Sequence, residues 1–249
     1  MTNSQFLIDG MTWSYSRLKT YDTCPLEFKL KYLDGHCAED NAFSQFGSLC
    51  HEILAAYYNG IIPPESMSDM FISEFDSIEF PYNKLKESYR SKALGTFLFY
   101  EDPFAGKNIV DVEQKTSTKI EGLKFVGVMD LVLSTQNGLE IVDHKSHSPF
   151  KNEAEKEEFL KQLYVYAILS KQKYGEYPYA LTINHFCYRD KYEMVFEAPR
   201  LLAVKDWIMR TWDKLYADND FLPAKPSEFY CKNLCGARHR CKYGACLEG

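Results

Sequence analysis

Asp130, Asp143 and Lys145 are the residues of this sequence whose types and spacing could do chemistry together. Asp143 and Lys145 stand in "NGLEIVDHKSHSP", where an apolar run, Leu139–Ile141–Val142, ends abruptly in charge. Asp130 stands in "KFVGVMDLVLS", just upstream across "TQNG". Charges at the end of a buried strand cost folding energy unless they are satisfied or used. The two segments read as a hairpin, and Asn137–Gly138 is a strong two-residue turn signal. In that register Asp130 lies opposite Lys145. With a four-residue loop, Ser134 faces Leu139 and Asp130 lies opposite Asp143. Residues directly opposed, or two apart on one strand, share a face. Either even-length loop therefore puts Asp130, Asp143 and Lys145 together, and a three-residue loop would split them. The set reads either as a salt-bridged strand end or as a divalent-metal site. Mg²⁺ prefers oxygen, keeps several waters and needs only one or two carboxylates. A lysine beside it can orient water and offset charge on a phosphate, and the His144 carbonyl offers another oxygen. That is equipment for metal-assisted hydrolysis of a phosphodiester. By strand alternation the His144 side chain points away from this face.

The elements around the hairpin follow from pattern. Residues 14–33 read as two short helices, the first capped by Ser14 or Ser16 and the second opened by Pro25. Residues 42–59 form an amphipathic helix stopped by Gly60. One or two further helices fall in 61–107, around Phe71 and Leu94–Tyr100. Residues 108–116, 123–134 and 139–145 have the period-two, β-branched character of strands. A long helix follows over 153–174 and stops at Gly175. Then comes a hairpin turning near Asp190–Lys191, and a helix over 199–218 opened by Pro199. A helix between groups of strands implies an α/β core with a mixed sheet. The N-terminal helices (1–107) and a Cys-rich tail (219–249) would be additions to the core (108–218), all within one domain spanning 1–249.

The bulk numbers exclude some classes. No apolar run reaches the roughly 18 residues that cross a bilayer, and "MTNSQFLIDGMTWSYS" lacks the basic start and apolar core of a secretory signal. The expectation is a soluble cytoplasmic protein with no membrane partner. A net charge of −6 argues against a uniformly basic nucleic-acid coat but leaves room for a local basic channel. Without a secretory signal, the 8 Cys are not expected to pair as disulfides.

"GVMDLVL" followed by "DHKS" resembles the paired motifs of the PD-(D/E)XK nuclease superfamily. The RecB-like branch, which includes AddB nuclease domains and CRISPR-associated and phage exonucleases, is the nearer likeness. "GSLCHEIL" (47–54) looks like that branch's G-x-x-x-H helix, "QLYVY" (162–166) like its Q-x-x-x-Y helix, and "YDTCP" (21–25) like its lone Cys before Pro. The resemblance runs from about Ser14 to Cys241. It implies a restriction-endonuclease-like core in which Asp130 and Asp143 bind Mg²⁺ or Mn²⁺, His51 completes the site and Lys145 positions the water. Gly47 and His51 lie one helical turn apart, as do Gln162 and Tyr166. Gly47 would allow close approach of a backbone or of DNA. Gln162 and Tyr166 would support the site and DNA placement. Read alone, His51 is a satisfied core histidine and the Gln–Tyr pair a half-buried helix face. Glu113 in "DVEQK" reads equally as a further site carboxylate or as a solvated strand residue. His147 is given no role.

Four of the Cys fall in the tail, "FYCKNLCGARHRCKYGACLEG". Cys231, Cys235, Cys241 and Cys246 could form a four-thiolate zinc site on their own. The resemblance implies instead a [4Fe-4S] cluster held by Cys24 and three tail cysteines, clipping the chain ends together. The family's first tail gap is two residues and here it is three, so the trio is either 231/235/241 or 235/241/246. The lead-in "LPAKPSEFY" and the five-residue gap favour Cys231, Cys235 and Cys241, leaving Cys246 spare. Cys37, Cys50 and Cys187 read as small apolar residues. Arg238, His239, Arg240 and Lys242 read either as a DNA-tracking patch or as a solvated tail.

The resemblance thus implies a metal-dependent DNA nuclease, an exonuclease acting on duplex ends or single strands in recombination, repair or phage DNA processing. No helicase motif is present, so unwinding would come from a helicase or recombination partner. Other readings are an endonuclease, a non-catalytic DNA-binding or assembly subunit of the same fold, and a phosphohydrolase acting on small nucleotides.

Overall fold

The computed structural model describes residues 3–36, 41–225 and 227–245. The chain opens with α1 (Asn3–Asp9), α2 (Tyr15–Thr23), α3 (Pro25–Phe28), α4 (Ala42–Tyr58), α5 (Met67–Phe75) and α6 (Asn83–Leu98). Strands β1 (Asn108–Ile120), β2 (Leu123–Thr135) and β3 (Gly138–His144) follow. Then come α7 (Glu153–Tyr174), β4 (Ala180–His185), β5 (Asp190–Val195), α8 (Ala198–Ala217) and α9 (Lys242–Ala245). The strands form one sheet in the order β1-β2-β3-β4-β5. β2–β3 and β4–β5 are antiparallel and β3–β4 is parallel, so the sheet is mixed, as the sequence pattern implies. Parallel neighbours need a long crossover, and α7 supplies it.

Two compact units make up the chain. One comprises Ala42–Ser117 and Gly127–Ala198; the other comprises Met1–Asn41, Thr118–Val126 and Pro199–Gly249. In the first unit, α4 lays Phe46, Leu49, Cys50, Ile53 and Leu54 against Phe71 and Phe75 of α5, Phe97 of α6 and Leu131, Leu133 and Val142 of the sheet. The spacing of those α4 residues is the three-and-four step of a helix with one apolar face. Gly60, at φ +67, ends the turn that follows α4. α7 is set by its own ends. Asn152 accepts from the Glu155 N–H at 2.9 Å, Glu153 and Glu155 lie in the first turn, and Gly175 caps the last at φ +81. Each complements the helix dipole or the left-handed cap.

The second unit has an aromatic centre. Phe28 stacks on Trp13 and Phe221, with centroids 6.2 and 6.4 Å away, and Tyr21 packs edge-on against it. Tyr21 donates to Asp218 at 3.0 Å and the Trp207 indole donates to Asp22 at 3.3 Å. Ser14 caps α2 by accepting from the Arg17 N–H. Pro25 opens α3, which continues as one π-helical stretch over Lys29–Leu33.

Three local expectations change. The β2–β3 turn is centred on Gln136–Asn137, with Thr135 paired to Gly138 and Gly138 at φ +126. Ser134 faces Leu139, so the register is the alternative in which Asp130 stands opposite Asp143. The β4–β5 reversal lies at Phe186–Arg189, where a 3₁₀ turn ends in Arg189 at φ +51, and Asp190–Lys191 already belong to β5. Helix α1 lies ahead of the first expected helix.

Candidate active site

Asp130, Asp143, Lys145, His51, Gln162 and Tyr166 all belong to the first unit, and the fold brings them together. The register that pairs Leu131 with Val142 sets Asp130 against Asp143 one step further on. Both carboxylates are buried, at 7% and 2% exposure. Asp130 Oδ2 accepts from the His144 backbone N–H at 2.7 Å. The Lys145 ammonium lies 2.8 Å from Asp143 Oδ2 and donates to Gln162 Oε1 at 3.1 Å. Gln162 Nε2 in turn donates to the Tyr166 hydroxyl at 2.6 Å. Two α7 residues one turn apart thus fix the lysine through a single amide.

His51 comes from α4. Its Nε2 donates to the His144 carbonyl at 3.0 Å, which leaves Nδ1 as the acceptor in the neutral ring. Nδ1 lies 3.5 Å from Asp130 Oδ2 and 3.7 Å from Glu113 Oε1. One ligand atom from each of His51, Glu113 and Asp130 falls within 4.8 Å of the other two. Glu113 is the residue that sequence reasoning left undecided. It sits in β1 at φ +51, a left-handed conformation rare for a residue with a side chain. Such a kink re-aims a strand side chain, and here it turns a carboxylate towards Asp130.

The charges here perturb one another. Burial, and then the charge of Asp143, push the Asp130 acid up to about 7. His51, Lys145 and the His144 N–H oppose that rise. For His51, burial alone favours the neutral ring, but Glu113, Asp130 and Asp143 together outweigh it and its pKa is raised. Two buried carboxylates facing each other favour a proton or a cation between them.

The His144 side chain leaves this face, as alternation requires. It is buried between Tyr58, stacked at 5.7 Å, and Asn184, whose Nδ2 donates to His144 Nδ1 at 3.0 Å. Asn184 also accepts, through its carbonyl, from the Lys145 N–H at 2.8 Å. Asn184 of β4 therefore holds the His144 side chain and the Lys145 backbone, a support that sequence alone does not show. Gly47 has only Ser146 Oγ near the position a Cβ would take, at 4.0 Å. It lines an open cleft of about 450 Å³ shared with His51 and Glu113, so its lack of a side chain keeps that cleft wide. Gly127 is the more constrained glycine. A Cβ there would meet Leu169 Cδ1 at 2.6 Å and Tyr166 Cε1 at 3.2 Å. His147 lies beyond the end of β3.

In the second unit, Cys24, Cys231, Cys235 and Cys241 line one cavity. No three of these sulfurs lie mutually within 4.8 Å among the described residues. Glu27, buried beside them, accepts from the Tyr230 hydroxyl at 2.8 Å and the Gly236 N–H at 3.1 Å. Burial, followed by Glu27, pushes the Cys235 thiol up to about 12. Burial also raises Cys231. The described cysteines form no disulfide, and Cys50 and Cys187 are buried free thiols. Cys37 and Cys246 lie outside the described residues. Arg238 lines the cysteine cavity, and Arg240 is exposed.

The model of the PD-(D/E)XK nuclease superfamily matches residues 12–242. The chain belongs to that superfamily. The fold is shared with a crystal structure from Eubacterium rectale that is provisionally designated an exonuclease. The match has a TM-score of 0.57 and 15% identity, and covers 87% of this chain and 85% of that one. A second structure, SSO0001, aligns over 88% of this chain and 95% of that one, at 15% identity and a TM-score of 0.37. No curated protein matches the sequence. Among the described residues, no helix of this superfamily member is long and apolar enough to cross a membrane.

Proposed function

We propose that this chain is a divalent-metal-dependent deoxyribonuclease, acting as an exonuclease on DNA ends or single strands. The observation that carries the reading is the convergence of His51, Glu113 and Asp130 within 4.8 Å, directly beside Asp143 and its lysine. The donor set fits a hard divalent ion: carboxylate oxygens, one imidazole and an open cleft with room for water. His51, Glu113, Asp130 and Asp143 would hold Mg²⁺ or Mn²⁺, with the His144 carbonyl as a further oxygen. When bound, the ion supplies Lewis-acid polarisation of the phosphate and a more acidic water. Asp143 and Gln162 hold the Lys145 ammonium where it can orient the attacking water and offset negative charge on the phosphorus oxygens. Tyr166 fixes Gln162, and Gly47 leaves the cleft open to the strand. Both compact units would serve this one nuclease.

The four thiols around Glu27 would hold a [4Fe-4S] cluster, with a single zinc as the alternative. The cluster would tie Cys24 to Cys231, Cys235 and Cys241.

The test is degradation of 5′- and 3′-labelled single- and double-stranded DNA by anaerobically purified protein. An exonuclease releases mononucleotides or short pieces from one labelled end and spares a circular strand. Cutting of closed circles would replace the exonuclease reading with the endonucleolytic one.

A further inference from the structure

A second cavity, of about 110 Å³, opens next to the catalytic lysine in the same unit, between α4, α6 and the segment that follows β3. Phe46 and Cys187 form its apolar floor. Its polar walls carry Lys92 and the hydroxyls of Ser146 and Ser148, and no carboxylate lines it. The Lys92 ammonium rests 3.7 Å from the centre of the Tyr188 ring. It has no ion-pair partner among the described residues, whereas Arg90 two residues earlier faces Asp76 and Lys145 faces Asp143. His147 also lines the cavity, and its Nδ1 donates to the Ser148 carbonyl at 2.8 Å. One cation, two serine hydroxyls that can turn to donate and no negative charge suit the cavity to an anion. It begins at Ser146, the residue after Lys145, about 3.8 Å along the backbone. A ligand there lies beside the scissile position rather than in it.

We propose that this cavity binds a phosphate of the DNA strand adjacent to the one being cut, with Lys92 as its charge and Ser146 and Ser148 as hydrogen-bond donors. Such a contact sets which phosphodiester meets Asp143 and Lys145. The proposal rests on the nuclease reading above.

The test is fluorescence anisotropy of a labelled oligo(dT) with the full chain, without added divalent ion, at several salt concentrations. Lys92→Gln is expected to weaken binding about 3- to 10-fold at low salt and to reduce the slope of log K against log[salt] by about 0.7, the share of one phosphate contact. Lys84→Gln, at the exposed start of the same helix and outside the cavity, leaves both unchanged. Ser146→Ala with Ser148→Ala weakens binding without altering the slope, and stands in should Lys92→Gln fail to fold. An unchanged slope in Lys92→Gln, or an equal effect of Lys84→Gln, overturns the proposal. If Lys92→Gln acts as expected but Mg²⁺ and Mn²⁺ give no cutting, the subsite stands and the nuclease reading fails. If DNA is cut but Lys92 is indifferent, the reverse holds. Absence of DNA binding by the unaltered chain overturns both.

Discussion

Asp130 sits in an electrostatic conflict between burial, a second carboxylate and nearby cations. Its carboxyl is held up to about 7, from an ordinary 3.8, by burial first and by Asp143 second. Between those values the folded chain keeps a proton that the unfolded chain has released. Stability therefore falls as pH rises through that window. The raised His51 pushes in the same direction, since a raised base loses its stabilising proton as pH climbs. Asp130→Asn removes the acid while its side-chain carbonyl can still accept the His144 N–H. In metal-free buffer the variant should melt higher than the unaltered protein at about pH 8, and the two should converge below about pH 4. Melting curves in EDTA across that range check this, and a less stable variant at pH 8 contradicts it. Cation binding replaces the retained proton, so Mn²⁺ affinity should rise with pH through about 7.

At the scale of elements, Lys145 is positioned by α7 and β4 together. Tyr166 presses on Gly127, and through Gln162 the same ring sets Lys145. Gly127→Ala must push Leu169 and Tyr166 out of a packed core. The expected cost is about 1–3 kcal/mol of stability, with a fall in kcat that exceeds any change in KM. Thermal melting and steady-state cleavage read the two effects, and an alanine that leaves both intact would show the contact to be soft. Nothing in the sequence singles out Gly127, because its partners Tyr166 and Leu169 lie some forty residues downstream, where no local pattern points.

Other features were legible to different degrees for similar reasons. The common face of Asp130, Asp143 and Lys145 could be read from strand alternation alone, because either even-length loop gives it. The choice between the two registers depended on Gly138 taking φ +126 as a paired residue rather than as part of a two-residue turn. The β4–β5 reversal carried no Gly or Asn signal, since Arg189 occupies the left-handed position. Glu113 stayed ambiguous because a backbone kink at a glutamate leaves no mark in the sequence. The carboxylate and lysine types showed through because their chemistry is costly to bury, whereas the aim of Glu113 is a tertiary property.

For the whole molecule, the cysteine cavity ties residues more than two hundred positions apart into one unit. Cys24→Ala should abolish iron content and visible absorbance in anaerobically purified protein and lower its melting temperature, while Cys50→Ala keeps the iron. A colourless protein with stoichiometric zinc would replace the cluster with the single-ion reading. Loss of iron is also expected to leave the melting of Lys145→Ala as a separate, smaller effect, because the lysine belongs to the other unit.

The central claim is that the Asp130–Asp143 face is a hydrolytic metal centre. Its most direct test is release of nucleotides from labelled DNA, with and without Mg²⁺ or Mn²⁺, by the unaltered chain and by Asp143→Ala. Cleavage should require the ion and fall about 10²–10⁴-fold in the variant, with DNA binding retained. Cleavage that persists in EDTA, or that survives Asp143→Ala at full rate, would contradict it.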